Sequence, residues 1–472
     1  MSKRVIWGLA LLALALPAAA HAHGKLDPSF GEGGRAVRAV GVDGFFYSPI
    51  GRTTGRTAES TDGRIFVLAN ERTLLAFEPD GSVAAGFGTG GSVEVFDTDE
   101  RVVSVGITVD PQGRVLVAGT ALPQKEPEQE PPTADPPIGE TPQAIFVARY
   151  TPAGQPDPSF GGDGRIVTNL GLAPAQVPAD PRWGPGGAGP TRTRVSGIAV
   201  DAAGRIILSG THLARYEVCK ADGMPNSRWE SFVARLRDDG NPDPSFGHAG
   251  AAVLGADPIG PPTPDESGGV YASVGTPFPL CALGQREAVG YLFHLDAAGA
   301  PVASFGQGGW RNIPEDVNVK LLPDGRGGLI LMPSNGSWRR KLILRRLNAD
   351  GSWDRHFGRG GVTEPFEAPR GTLSFADAAI GRGGQIYVTG SWVRKARPGT
   401  AKRRFLLFQL GRQGNLDPRY GILRTGFGKG TTAASRSLLI APGGGPLLIG
   451  ALQSPLLPGG QGIALARYLP GR

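Results

Sequence analysis

Two runs of cationic side chains are the part of this sequence best suited to binding chemistry. One is Trp338-Arg339-Arg340-Lys341. The other runs from Trp392 through Arg394, Lys395, Arg397, Lys402, Arg403 and Arg404. Neither has an acid among its basic residues. Guanidinium and ammonium groups beside tryptophan suit phosphate, anionic glycan or nucleic acid, because the charge attracts a polyanion and the indole offers a stacking surface. The plainer reading of the same residues is a solvated loop that keeps a net-positive protein soluble. Segment 120–144 has the opposite character, with seven prolines, five acids (Glu126, Glu128, Glu130, Asp135, Glu140) and one lysine. It reads as a solvated, partly polyproline tether, or as a docking strand for a proline-binding partner.

Catalytic signatures are sparse. There is no Gly-x-Ser-x-Gly elbow, His-Glu-x-x-His, Cys-x-x-Cys or Walker-type loop. His212, His248, His294 and His356 lie far apart without ligand spacing. Asp97-Thr98-Asp99-Glu100 and Asp238-Asp239 lack the full oxygen pattern of a calcium loop and read as turns. No catalytic residue, metal or cofactor is therefore expected.

The first residues bear on location. Lys3 and Arg4 precede an apolar run from Ile6 to Leu16, and Ala20-His21-Ala22 offers a small-x-small cleavage site. Residues 1–22 read as a secretory signal peptide, too short in its apolar part to span a bilayer. Later apolar runs are interrupted by proline and polar residues, so no transmembrane segment is expected. The formal charge of +7 falls to +5 on removal of those two cations. The expected location is periplasmic or extracellular, where a disulfide between Cys219 and Cys281 persists if their geometry allows it; two free thiols are the alternative.

What scaffold would hold these loops? Gly and Pro number 74 and 42, together roughly a quarter of the 472 residues, at the edge of disordered compositions. The 40% hydrophobic content is too rich for a solvated coil. Long helices are disfavoured, since Gly and Pro cost about 1 and 3 kcal/mol per helical site. Strands and turns remain.

The chain also repeats. An aromatic-Gly pair, best seen in Asp27-Pro28-Ser29-Phe30-Gly31, Asp157-Pro158-Ser159-Phe160-Gly161 and Asp243-Pro244-Ser245-Phe246-Gly247, returns as Phe87-Gly88, Phe305-Gly306, Phe357-Gly358 and Tyr420-Gly421. The spacings are 57, 73, 86, 59, 52 and 63. A strand phrase such as Phe146-Val-Ala-Arg-Tyr150 or Phe232-Val-Ala-Arg-Leu236 precedes it. Further upstream comes a Gly-bounded β-branched run, as in Gly113–Gly119, Gly204–Gly210 and Gly384–Gly390.

Each unit thus offers four short strands, A to D, and four-stranded units in radial array make a β-propeller. The mature chain starts with a D-strand phrase, from Arg35, and stops after the C-strand phrase ending at Tyr468. Pairing the two completes a seventh blade and removes an open edge. The expected fold is an all-β, seven-bladed propeller over 23–472. Strands A and B of blade four, between Ala251 and Leu295, cannot be placed.

The pairing of Phe-Val-Ala-Arg-Tyr with Asp-Pro-Ser-Phe-Gly resembles the delta-60 repeat family of exported bacterial proteins, over nearly all of the mature chain. The resemblance implies a propeller-like array and no particular activity.

Within the repeat, Asp27, Asp157 and Asp243 should form Asx-turns, the following aromatic should be buried, and the next glycine should take a positive φ. The strand-C arginines Arg149, Arg235, Arg345 and Arg467 read as snorkelling across the sheet or pairing with a turn Asp. Function is expected in the long B–C connections. The protein is read as an exported binding or scaffold module for an anionic envelope polymer or a protein partner, nucleic acid being a poor fit to export. The alternative is an exported propeller hydrolase or lyase acting on a glycan or lactone at the central channel.

Overall fold

A computed structural model describes residues 24–40, 55–96, 101–122, 143–177, 187–188, 191–218, 225–255, 259–275, 290–314, 319–333, 342–363, 372–394 and 402–471. Apart from one parallel pairing, of Gln176 with Arg215 in blade three, its strands pair antiparallel. In A-to-D order, blade one is Thr57–Glu59, Ile65–Ala69, Thr73–Phe77 and Ser92–Glu94. Blade two is Arg101–Val109, Val115–Leu122, Ala144–Tyr150 and Arg165–Thr168. Blade three is Thr193–Val200, Ile206–Val218, Pro225–Leu236 and Ala251–Val253, with short outriders at Gln176–Val177 and Gly187–Ala188.

Blade four is Thr263–Pro264, Val270–Gly275, Gly290–Leu295 and Trp310–Ile313. This places the two strands that the sequence left unassigned. Strand B there lacks the Gly-Arg phrase, and strand A is two residues long. Blade five is Val319–Pro323, Leu329–Pro333 and Arg345–Leu347, its fourth position reduced to a bridge between Arg345 and Val362. Blade six is Thr372–Ile380, Ile386–Arg394, Lys402–Leu410 and Ile422–Thr425. Blade seven is Thr432–Ile440, Pro446–Gln453 and Gln461–Arg467, completed by Arg35–Ala39 from the other end of the chain. Arg35 lies opposite Ala466 and Ala39 opposite Gly462, so the ring closes as the repeat phase requires.

The A strands of successive blades touch all the way round, blade seven to blade one included, so they form the inner wall. The apolar core is divided among the seven junctions. Val115 and Val117 face blade one while Leu116 and Ala118 face blade three, as a two-residue period demands when both sides of a sheet are covered. The A strands of blades two, three, six and seven carry a bulge at the same point, next to Val105, Ser196, Ala376 and Arg436. A bulge brings backbone out of line, and the facing strand-B residue is Gly119, Gly210, Gly390 or Gly450. At Gly210 and Gly390 a Cβ would lie 2.1 and 1.9 Å from a strand-A carbonyl oxygen. That contact explains why the β-branched phrase ends in glycine.

Candidate functional site

The repeated Asp-Pro-Ser-Phe-Gly phrase forms a clasp between blades. In blade two, Arg149 Nε lies 2.8 Å from Asp157 Oδ2. Its Nη2 donates to Ser159 Oγ at 2.8 Å, and its Nη1 donates to the Asp238 carbonyl of blade three at 2.6 Å. The guanidinium sits 4.8 Å above the Phe160 ring. Blade three repeats this with Arg235, Asp243, Ser245, Phe246 and the Ala297 carbonyl. Blade seven uses Arg467, Asp27, Ser29, Phe30 and the Pro79 carbonyl of blade one. In blade five the alignment of phrases assigned Arg345, and the structure assigns Arg346, which pairs with Asp354 and stacks on Phe357. Neighbouring residues of a strand point to opposite faces, and Arg345 packs over Trp353 instead.

The turn expectations hold. The Ser29, Ser159 and Ser245 amides each donate to the Asp two residues earlier at 3.0 Å. All seven motif aromatics, Phe30, Phe87, Phe160, Phe246, Phe305, Phe357 and Tyr420, are buried. The glycine after each has φ between 48° and 73°. In six junctions that glycine's amide also reaches the next blade, as in Gly31 to the Asp80 carbonyl at 2.7 Å and Gly358 to the Gln413 carbonyl at 2.6 Å. Burial alone would raise the Asp157 and Asp243 carboxyls. Their serine hydroxyls and amides, then the clasp arginines, hold them below the usual range. With all four guanidiniums so occupied, the motif is scaffold.

The basic residues behave differently. Lys402, Arg403 and Arg404 are exposed in succession where strand C of blade six begins, on the face of the B–C and D–A connections. Arg404 is the cross-strand partner of Trp392, and Lys402 of Arg394. The Arg424 guanidinium stacks 4.7 Å from the Trp392 ring. None of Lys402, Arg403 and Arg404 pairs with a carboxylate among the described residues. Arg436, at the blade-seven bulge, is pulled below its usual value by burial and then by the charge of Arg403. The structure therefore unites Trp392 with Lys402, Arg403 and Arg404 and adds Arg424 and Arg436, which lie outside the basic run. Trp338, Arg339, Arg340, Lys341, Lys395, Arg397, Cys219 and Cys281 lie outside the described residues, as does most of 120–144.

The clefts between blades open on the opposite face, among the A–B and C–D turns. One of about 230 Å³ between blades seven and one contains Glu59, Asp62, Asp27 and Arg467. Burial pushes Glu59 up to about 7 against the opposing pull of Arg467. A second, of about 210 Å³ between blades five and six, is lined by Asp324, Arg326, Arg346 and Arg412. A third, of about 350 Å³ between blades six and seven, contains Gln409, Asp417 and three arginines. Among the described residues no group of three or more His, Cys, Asp or Glu side chains converges as a metal site. No helix among them is long and apolar enough to cross a membrane.

No family model and no curated protein matches the chain. Among solved structures, a protein of unknown function from Dyadobacter fermentans aligns at 10% identity over 79% of this chain and 96% of its own, with a TM-score of 0.36. A mutant of the NanB sialidase from Streptococcus pneumoniae aligns at 10% identity over 86% and 83%, with a TM-score of 0.40. A putative oxidoreductase (glucose dehydrogenase) from Thermus thermophilus aligns at 15% identity over 91% and 99%, with a TM-score of 0.34. Likenesses this distant carry no activity across, and what the chain itself displays is a closed seven-bladed β-propeller.

Proposed function

We propose that this propeller is an exported binding module that holds an anionic polymer on the B–C rim of blade six. The observation that carries the reading is the exposed triplet Lys402, Arg403 and Arg404, which no described carboxylate neutralises, while the arginines of the repeat are consumed in clasps. Exposed cations that lack acidic neighbours keep their long-range field, and a polyanion that neutralises several of them releases its own counterions. The Trp392–Arg424 stack adds a flat surface for a sugar or base. Export rests on the Lys3-Arg4 start, the apolar run and Ala20-His21-Ala22, and makes an envelope polymer the polyanion the rim would meet.

Retention on an immobilised anionic polysaccharide at low salt, with elution as salt rises, tests the rim. Lys402, Arg403 and Arg404 all replaced by Ala should elute with the void while melting as the parent does. Unchanged retention would remove the rim from the reading. The alternative of a hydrolase or lyase acting on a glycan or lactone draws on Glu59, a carboxyl that titrates near neutrality in a cleft. Turnover that disappears in Glu59→Gln would favour it.

A further inference from the structure

The A strands of four blades carry the same bulge, and its extra residue is small or apolar in three of them, Val105, Ser196 and Ala376. Blade seven puts Arg436 there. Its Nε is sealed from solvent without a hydrogen-bond partner. Its Nη groups are not sealed and bond no described residue. A guanidinium keeps its proton, so a half-buried one without a counter-charge is a standing cost to the fold. The other three bulges show that the fold does not require it.

The second cation at this junction is Arg403. Strand C of blade six alternates between two cores. Leu406 and Phe408 pack towards blade five, with Trp392, while Phe405 and Leu407 pack towards blade seven, with Ala433 and Leu438. By the same alternation Lys402 and Arg404 face blade five and Arg403 faces blade seven. That strand lies against strand A of blade seven, where Arg436 sits. The exposed triplet is therefore not one surface. Two of its cations belong to the blade-five side, and the third makes a pair with Arg436, whose guanidinium feels its charge.

These two blades hold no acid to neutralise the pair. From Ala378 to Arg472 the chain has fourteen Lys and Arg against one acid, Asp417, which lies in a C–D turn on the opposite face. Asp377, just before that span, is taken by Lys320 and by the Leu438 amide. The connection between the blades, 426–431, adds the exposed Lys429. Two unpaired guanidiniums select a ligand by its charge. A carboxylate or a phosphodiester would neutralise one and leave the other. A terminal phosphate carries about two negative charges near neutral pH, and its three oxygens can serve both forks.

We propose that Arg403 and Arg436 bind a phosphate monoester at the mouth of the junction between blades six and seven, on the face of the B–C connections. The assignment rests on the reading of that face as an anion-binding rim, and it names phosphate as the group held there.

Calorimetric titration of the purified protein with methyl phosphate tests the assignment. The expected result is saturable binding that weakens at least about tenfold in Arg403→Gln, in Arg436→Gln, and for dimethyl phosphate, the singly charged diester. The double variant Lys402→Ala/Arg404→Ala should weaken it far less. Should Arg436→Gln not fold, Arg403→Gln, at an exposed site, decides alone. The proposal is overturned by an absence of saturable heat with methyl phosphate, by parental affinity in either folded Gln variant, by dimethyl phosphate binding as tightly, or by an equal loss in the double variant. Retention on the polysaccharide is read separately. If replacement of Lys402, Arg403 and Arg404 by Ala leaves retention unchanged while methyl phosphate binds the parent, the polymer reading fails and the phosphate site stands. Retention lost in that variant, with no heat from methyl phosphate in the parent, overturns the phosphate site alone.

Discussion

Arg467 and Asp27 are separated by 440 positions in the chain, and Arg467 Nε lies 2.8 Å from Asp27 Oδ2. This contact, together with the Arg35–Ala39 strand, makes the first and last repeats one blade. Deletion of residues 463–472 removes strand C of blade seven and strips Arg35–Ala39 of its partner. The truncated chain should aggregate or lose its β signal by circular dichroism. A stable monomer on size exclusion would show that the ring does not need closing.

The interblade aromatics should be costly to remove. Phe160 and Phe246 are wholly buried, and truncating such a side chain costs about 3–5 kcal/mol. Phe160→Ala and Phe246→Ala should each lower the melting temperature steeply. The facing glycine is equally constrained. Gly240 has φ 88°, and a Cβ there would sit 2.9 Å from the Phe160 ring, so Gly240→Ala should destabilise although it adds one methyl group. A melting curve unchanged in Phe160→Ala would mean that the ring is not packed as described.

Loss of one clasp partner leaves a buried charge uncompensated, which costs about 3–5 kcal/mol. Arg235→Gln should therefore destabilise more than replacement of an exposed arginine such as Arg237. The clasps also set an acid limit. Asp243 is held below the ordinary value of 3.8 in the folded chain, so its contribution is present above that value and is lost as pH falls through the lower folded one. Melting temperature should drop in acid for the parent and drop less for Asp243→Asn, which starts lower.

Glu59 works in the other direction. Its folded value near 7 stands above the ordinary 4.5. Below about 4.5 both states are protonated. As pH rises towards 7 the unfolded chain ionises first, so folding is progressively disfavoured, and the full penalty is present above 7. Glu59→Gln should stabilise the protein by roughly 1–2 kcal/mol at about pH 8, allowing for solvent screening, and by little at about pH 4. Equal gains at both pH values would show that ionisation of Glu59 is not the cause.

Much of the architecture is legible in the residues because it rests on local rules repeated seven times. Strand-forming side chains alternate between two cores, Asp-Pro-Ser makes the same Asx-turn wherever it occurs, and the aromatic-Gly phrase marks each strand reversal. The phase of the repeat at the two ends determines closure. Blade four was not legible, because two residues of strand A and a B strand without its Gly-Arg phrase carry too little periodic signal. Arg346 was misread as Arg345 for a related reason. In Leu342-Ile-Leu-Arg-Arg-Leu347 two adjacent arginines share one phrase, and only the sheet's alternation says which one faces Asp354.

The sequence by itself determined the strand order outside blade four, the seven-fold count, the closing strand and the burial of the motif aromatics, because hydrophobic period and turn chemistry act over a few residues. Tertiary structure alone decided what the charges do. Arg149 and Arg404 are both arginines in a strand C, yet one is locked between Asp157, Ser159 and the next blade while the other stands exposed beside Trp392. Gln409 likewise reads as an unremarkable polar residue until the fold buries its amide oxygen, without a hydrogen-bond partner, against Gly471. An electrostatic role depends on which partners lie within a few ångströms, and some of them, such as the Asp238 carbonyl that Arg149 reaches, come from the next blade, tens of residues away in the chain.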